Sequence, residues 1–377
     1  MEGRMKKPIA IVAITKHGAE NARRLAAQVP DADLYVSPKF KDDRVAIYYE
    51  EPLKDLIAKI FDGYITLVFY VSLGAVVRLI APVLKDKKTD PAVLVVDDAG
   101  KYVISVLSGH LGGANEMAEL LAAKIGAAPI VTTASDVGKT VPVDLVGRKL
   151  GWTIEDFSPV TAVSAAVVNE EPVAFVQETG EKNWWTRPTP VPPTVSLFDR
   201  IASIFENGRP PFSAVLLVTD RLSVRADLGR LADRTVVYRP RSLCLGMGCD
   251  SGVTVEDLEA LVFPTLQSHG LSARCVRKVA TVDLKQNEPG LVAFVNKHGY
   301  EFESFTRDLL NGLKDRVVTP SPYAEKYLKV VGVSEPAALL AAESSAPSES
   351  SPAGKAQLLV PKVKGTRCTL AVARVPF

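Results

Sequence analysis

The densest group of residues able to do chemistry is Ser108-Gly109-His110-Leu111-Gly112-Gly113-Ala114-Asn115. It follows an apolar, strand-like run and precedes an alanine-rich, helix-like one, which is expected to set His110 at the carboxyl edge of the sheet, where ligands bind in open α/β folds. Glycines let backbone approach a ligand closely, and N–H groups at a helix start favour an anion. The segment matches neither common glycine fingerprint. No lysine follows its glycines as in a phosphate loop, and the G-x-G-x-x-G pattern is absent. Two readings stand: a carboxylate or anion site built with Ser108, Gly109, Gly112, Gly113 and Asn115, and a tight structural turn. His110 has three. It is a general base for water, since an unperturbed imidazole titrates near neutrality. Or it serves a Ser108 nucleophile, against which the missing G-x-S-x-G elbow counts. Or it packs and caps.

Other candidates surround this group. Arg78 falls in a helix-like stretch, and Asp86-Lys87-Lys88-Thr89-Asp90 is a polar loop of balanced charge that either holds acidic groups or is solvated surface. Asp136 either orients His110 or caps a helix. A second glycine segment, Gly246-Met247-Gly248-Cys249-Asp250-Ser251-Gly252, repeats a strand–loop–helix design, with Gly246 ending the strand and Gly248 in the loop. Lys285 and Glu288 lie in a polar segment that lines a cleft or is ordinary surface. Cys244 and Cys249 have only His269 near them in sequence, so a protein-held metal is not expected.

These residues need elements to position them. Pro8–Thr15, Phe61–Ser72, Pro91–Asp97, Tyr102–Leu107 and Pro129–Thr133 read as strands, with helices over Ala19–Gln28, Gly74–Ile80 and Ala114–Ile125. Strands alternating with helices predict an α/β fold. We expect a mainly parallel three-layer α/β/α domain over residues 1–140, a small middle domain over 141–237 and a C-terminal α/β domain over 238–377. Tyr64–Leu84 is long enough to span a bilayer, but it contains Arg78, Pro82 and Gly74 and reads as a buried strand followed by a helix. In the last domain a strand covers Leu243–Gly246, Pro264 is expected to kink or end the helix that Thr254 caps, and Glu343–Gly354 reads as a solvated loop.

Composition bounds the class. The 377 residues carry 45 Lys and Arg against 43 Asp and Glu, a net charge of +2, which argues against a dedicated nucleic-acid binder. Four cysteines without a C-x-x-C do not make a disulfide framework, so a reducing cytoplasm is expected, with no targeting segment and no membrane span.

The order of motifs resembles the cobalt-precorrin-5A hydrolase family of anaerobic cobalamin biosynthesis. The likeness rests on Gly74-x-x-x-Arg78-Leu-Ile-Ala-Pro-x-Leu-x-Asp86-Lys87-x-x-Asp90-Pro-Ala-Val and on Ser108 to Asn115. It continues in Gly246-x-Gly248-Cys249, Asp283-Leu-Lys285-x-x-Glu288-Pro-Gly290, Thr319-Pro-Ser and Val333-x-Glu335-Pro-Ala-Ala-Leu339. The middle stretch, with Trp184-Trp185 and a proline run, is poorly matched. The resemblance implies a hydrolase that opens the δ-lactone of a cobalt-bearing, ring-contracted tetrapyrrole and releases acetaldehyde. The cobalt would arrive inside the substrate, so no cofactor of the protein's own is implied. Transient contact with other corrinoid-pathway enzymes is expected. On this reading Arg78, Lys87 and the Gly112-Gly113 backbone hold carboxylates or the developing oxyanion. His110 activates water, oriented by Asp136 or Asp90, and Gly246, Gly248, Lys285 and Glu288 add further substrate contacts. A non-catalytic corrinoid carrier and a nucleotide-dependent enzyme are the competing classes.

Overall fold

The computed structural model describes residues 6–86, 89–134, 138–187, 189–206, 212–347 and 355–377. Lys87, Asp136 and residues 348–354 of the Ser/Ala/Pro stretch lie outside the described residues. The chain divides into two compact units, 1–145 and 146–377.

In the first unit β1 (Lys7–Ala13), β2 (Ala32–Val36), β3 (Ile47–Tyr48), β4 (Tyr64–Tyr70), β5 (Ala92–Val96), β6 (Tyr102–Leu107) and β7 (Ala128–Ile130) form one sheet. Its order is β3-β2-β1-β4-β5-β6-β7. Helices α1 (Lys16–Ala26) and α4 (Ala114–Ile125) cover one face, α2 (Leu53–Ile60) and α3 (Leu73–Ile80) the other. β4 shows why a central strand is apolar without alternation. Val68 and Tyr70 face α1 and α4, Leu67 and Phe69 face α2 and α3, and all four are buried. Three layers result. Tyr64–Leu84 is a strand, a helix and a short turn; among the described residues no helix is long and apolar enough to cross a membrane.

Every pairing in this sheet is parallel except β5 with β6. A turn with Gly100 at φ +67° reverses the chain, setting Leu107 opposite Val93 and Val103 opposite Val96. β6 therefore ends beside the amino ends of β4 and β5. The expectation that His110 stands at the carboxyl edge of the sheet is corrected: it follows β6, at the amino edge of the parallel set.

The second unit holds two sheets. One, of order β10-β9-β11-β12-β8, comprises β8 (Thr153–Ile154), β9 (Val173–Gln177), β10 (Val195–Phe198), β11 (Ala214–Val218) and β12 (Thr235–Arg239). Trp184 stacks on Phe175 of this sheet at 3.9 Å, which gives the tryptophan pair a packing role. The other, of order β15-β14-β13-β17-β16, comprises β13 (Leu243–Cys249), β14 (Val276–Val282), β15 (Glu301–Phe305), β16 (Gln357–Lys364) and β17 (Cys368–Arg374). Here β13, β14 and β15 run parallel, and β17 lies antiparallel between β13 and β16.

An ion pair with a buried carboxylate links these two sheets, and a buried arginine braces the first of them from within. Arg374 grips Asp220 through two bonds of 2.7 Å, and Ser242 Oγ donates to the same carboxylate at 3.0 Å. The fully buried Arg239 donates to the carbonyls of Thr219 and Arg221 and to Glu155.

Three local expectations are corrected. The helix Val255–Ser268 runs on past Pro264, because Leu261, Val262, Thr265 and Leu266 bury its inner face on both sides of the proline. The helix Ser334–Ser344 extends into the stretch read as solvated loop. Glu343 is held there, accepting from Arg316 Nη1 at 2.6 Å and from the Ala356 N–H at 3.2 Å. β13 continues through Met247 and Gly248 to Cys249, since it pairs with β17 along its whole length.

Candidate active site

The turn after β6 is closed by its own backbone. Gly113 N–H donates to the His110 carbonyl, Ala114 N–H to Ser108 and Asn115 N–H to Gly109, at 3.0, 3.1 and 3.0 Å. Ser108 takes a left-handed φ of +56°, and a Cβ on Gly112 would fall 2.3 Å from the Ser108 Cβ. That close approach requires glycine at 112. Asn115 is buried and cross-braced: its Oδ1 accepts from Ser105 Oγ at 2.6 Å and its Nδ2 donates to Thr133 Oγ1 at 2.8 Å. Gly109 sits against that amide, where a Cβ would meet Asn115 Oδ1 at 2.6 Å. The expected anion cradle at the start of α4 is therefore largely consumed, because the N–H groups of residues 113–115 already have carbonyl acceptors.

This rigid turn presents His110. Its Nδ1 lies 3.2 Å from Asp144 Oδ1, with both side chains about four-fifths buried (17% and 20% exposed). Val141 and Val143 are buried on either side of Pro142 and anchor the segment that carries Asp144. A carboxylate at Nδ1 favours the tautomer with its proton there and leaves Nε2 as the basic nitrogen. Sequence reasoning missed Asp144. Its signal was a lone acid in the apolar run Val141-Pro-Val-Asp-Leu145.

The carboxylate of Asp90 does a different job. Both of its oxygens accept from the Lys85 N–H at 3.1 Å, and its own N–H donates to the Asp86 carbonyl at 2.9 Å. It closes the loop before β5, and Ser108 Oγ donates to its backbone carbonyl at 3.1 Å. The Ser108 hydroxyl is thus turned toward that loop. Arg78 is exposed on α3, its Nη1 donating to the Gly74 carbonyl at 3.1 Å.

The second glycine segment divides. Gly246 is sealed beneath the helix Ser334–Ser344: a Cβ would fall 1.8 Å from the Ser334 carbonyl oxygen and 2.5 Å from the Ala338 nitrogen. Its glycine serves strand–helix packing. Gly248 instead lines a cleft of about 260 Å³ at the carboxyl ends of β13 and β14, together with Lys285, Lys362, Lys364 and Arg367. Glu288 is a staple beside that cleft. Its carboxylate accepts from the Gly252 N–H at 2.7 Å and pairs with Lys285 at 3.0 Å. Lys285 and that N–H hold it below the usual glutamate range. Cys249 also lines the cleft, and burial pushes its thiol up to about 12, so it is no thiolate nucleophile.

The chain matches three family models: Cobalamin synthesis G N-terminal over residues 55–136, Cobalamin biosynthesis central region over 141–240, and Cobalamin synthesis G C-terminus over 243–373. The central stretch that the motifs left poorly matched is thereby included. A curated relative from Priestia megaterium named cobalt-precorrin-5A hydrolase is 41% identical over 98% of this chain and 95% of its own. A second of that name, from Salmonella typhimurium, is 29% identical over 88% of this chain and 91% of its own. The solved structure of a cobalamin biosynthesis protein G homolog from Sulfolobus solfataricus covers 98% of this chain and 97% of its own, at 19% identity and a TM-score of 0.36. Matched end to end at 41% identity and by all three models, this chain belongs to the cobalt-precorrin-5A hydrolase family.

Proposed function

We infer that the chain catalyses its family's reaction, the hydrolysis of cobalt-precorrin-5A to cobalt-precorrin-5B and acetaldehyde. The observation that carries this is the 41% identity sustained over 98% of the chain. Water attacks the δ-lactone carbonyl, and the ring C–O bond of the tetrahedral adduct breaks to leave a carboxylate and a hydroxyl on the former meso carbon. Loss of that hydroxyl proton then forms the aldehyde C=O, while the electron pair of the adjoining C–C bond passes into the macrocycle. Water supplies one oxygen, and the lactone oxygen leaves in the acetaldehyde. The cobalt is part of the substrate.

His110 takes the proton from the attacking water at Nε2, and Asp144 stabilises the imidazolium that results. The reading is supported by the 3.2 Å pairing at Nδ1 and by the rigid turn that fixes the ring. We assign Arg78, an exposed cation on α3, to a substrate carboxylate. Lys87 keeps the carboxylate-holding role, and Asp136 the orienting role, read above from residue type and position in the sequence. We place the protein in the cytoplasm, with transient contacts to the enzymes that supply its lactone and take its product.

The test is acetaldehyde release by purified His110→Ala from the lactone substrate, read with an alcohol dehydrogenase couple. Loss of about 10²–10⁴-fold in kcat is expected for a positioned general base. Activity within threefold of wild type would remove His110 from the chemistry.

A further inference from the structure

The cleft of the second unit sits where open α/β sheets bind ligands. β14 and β15 extend the sheet to one side of β13, while β17 and β16 lie on the other, so the strand order reverses at β13. Crevices at such a reversal, outside the carboxyl ends of parallel strands, are the usual ligand site. The cleft lies at those ends, between the segments that follow β13 and β14 and the β16–β17 hairpin.

Its lining is lopsided in charge. Lys285, Lys362, Lys364 and Arg367 face a single lining carboxylate, Asp250, in a chain whose overall charge is nearly balanced. Three of the cations are tethered in ways that fix their position and still leave donors. Lys362 Nζ donates to the carbonyls of Thr319 and Pro320 at 2.8 and 3.1 Å, and Arg367 to those of Gly252 and Ser251 at 2.7 and 2.6 Å. Lys285 reaches Ser251 Oγ and Glu288, both at 3.0 Å. Lys364 is exposed at the rim, and no ion pair or side-chain hydrogen bond engages it among the described residues. Burial holds the Lys362 ammonium below the usual lysine range; nearby Glu335 opposes that shift and Lys364 adds to it. A nearby anion would relieve this cost.

The cleft also carries apolar surface with no core to serve. Leu284 and Tyr323 line it while 60% and 68% exposed, and Tyr327 stands against Tyr323 with ring centroids 4.6 Å apart. Cations above a flat aromatic and aliphatic wall suit a ligand that is itself flat, apolar on its faces and anionic at its edge.

We propose that this cleft is a docking site for the carboxylate-fringed edge of the corrinoid, with Lys364, Lys362 and Arg367 receiving carboxylates and Tyr323 and Leu284 lying against the macrocycle. The ligand class rests on the function proposed above; the site itself does not depend on turnover. These cations set affinity, so their loss raises KM and leaves kcat near wild type, the opposite of His110.

Binding of cobyrinic acid, a corrinoid polycarboxylate, to the full chain is measured by absorbance titration, beside its heptamethyl ester, which keeps the macrocycle and lacks the charges. The acid should bind at least tenfold more tightly than the ester, and more weakly as salt rises. Lys364→Glu, at an exposed position that tolerates change, should weaken the acid about tenfold and leave the ester unaffected. Tyr323→Ala should weaken both. Equal binding of acid and ester, or an unchanged Kd in Lys364→Glu, would overturn the proposal. Tight, charge-dependent binding by a chain that releases no acetaldehyde would uphold the site and refute the hydrolase reading instead.

Discussion

Gly246 and Gly248 stand two residues apart on one face of β13, and the structure gives them different tasks that a pair of alanine substitutions separates. At Gly246 a methyl group would lie 1.8 Å from the Ser334 carbonyl oxygen, 2.5 Å from the Ala338 nitrogen and 2.9 Å from the Ala338 Cβ. Two of these are backbone atoms of one helix, so no rotamer change relieves the clash. To reach ordinary contact at 3.4 Å, strand and helix must part by about 1.6 Å. That helix is buried along most of its length, and a gap of this size forfeits much of its dispersion energy against β13. Overpacking a core typically costs about 1–3 kcal/mol, and an unyielding backbone belongs at the upper end. For a unit of this size about 3 kcal/mol lowers Tm by roughly 6–12 °C. At Gly248 the nearest atom is Thr369 Oγ1 at 2.8 Å, the end of a side chain that can rotate away. Gly248→Ala should therefore shift Tm by less than about 3 °C. Circular dichroism melts of both variants decide the matter. A Gly246→Ala protein melting within 2 °C of wild type, or a Gly248→Ala protein equally destabilised, would refute the packing argument.

Other consequences follow from named contacts. Asp144→Asn keeps the shape beside His110 but removes the charge; kcat for acetaldehyde release should fall about 10–100-fold with KM unchanged, and unchanged kcat would detach Asp144 from the mechanism. Asp220→Ala strands Arg374 in a site where Asp220 is 1% exposed. Breaking such a pair costs about 3–5 kcal/mol, read as a lower urea midpoint. Glu335 is buried, which alone would raise its carboxyl, but the N–H groups of Lys362, Thr319 and Val318 outweigh that and hold it below the usual range. A carboxylate so depressed contributes stability above its unfolded pKa, and that contribution is lost as pH falls through the lower, folded value. Wild type should therefore lose stability on acidification below about pH 4.5, and Glu335→Gln should show a flatter profile from a lower plateau. An identical acid profile in the variant would refute the linkage.

Much of the first unit was legible because its elements obey local rules. The apolar run of β4, the alanine-rich α4 with Gly126 behind it, and the turn before Tyr102 each state their structure in a few residues. Glycine positions were equally visible, but not their purpose. Gly112 and Gly246 are both required by close approach, one to Ser108 and the other to a helix that begins 88 residues later, and nothing in the spacing distinguishes them from a glycine beside a ligand.

The sequence by itself determined the α/β class, the family and the histidine that the turn after β6 displays, because periodicity and motif order are properties of neighbouring residues. Tertiary structure alone decided the antiparallel return of β6, which moves His110 to the other edge of the sheet. It also decided that Asp144 and not Asp90 stands beside that histidine, and that Lys362, Lys364 and Arg367 meet Lys285 across one cleft. Each depends on strand register or on contacts between distant segments, and the free energy that selects these is spread over a whole packed core and not written at any one position.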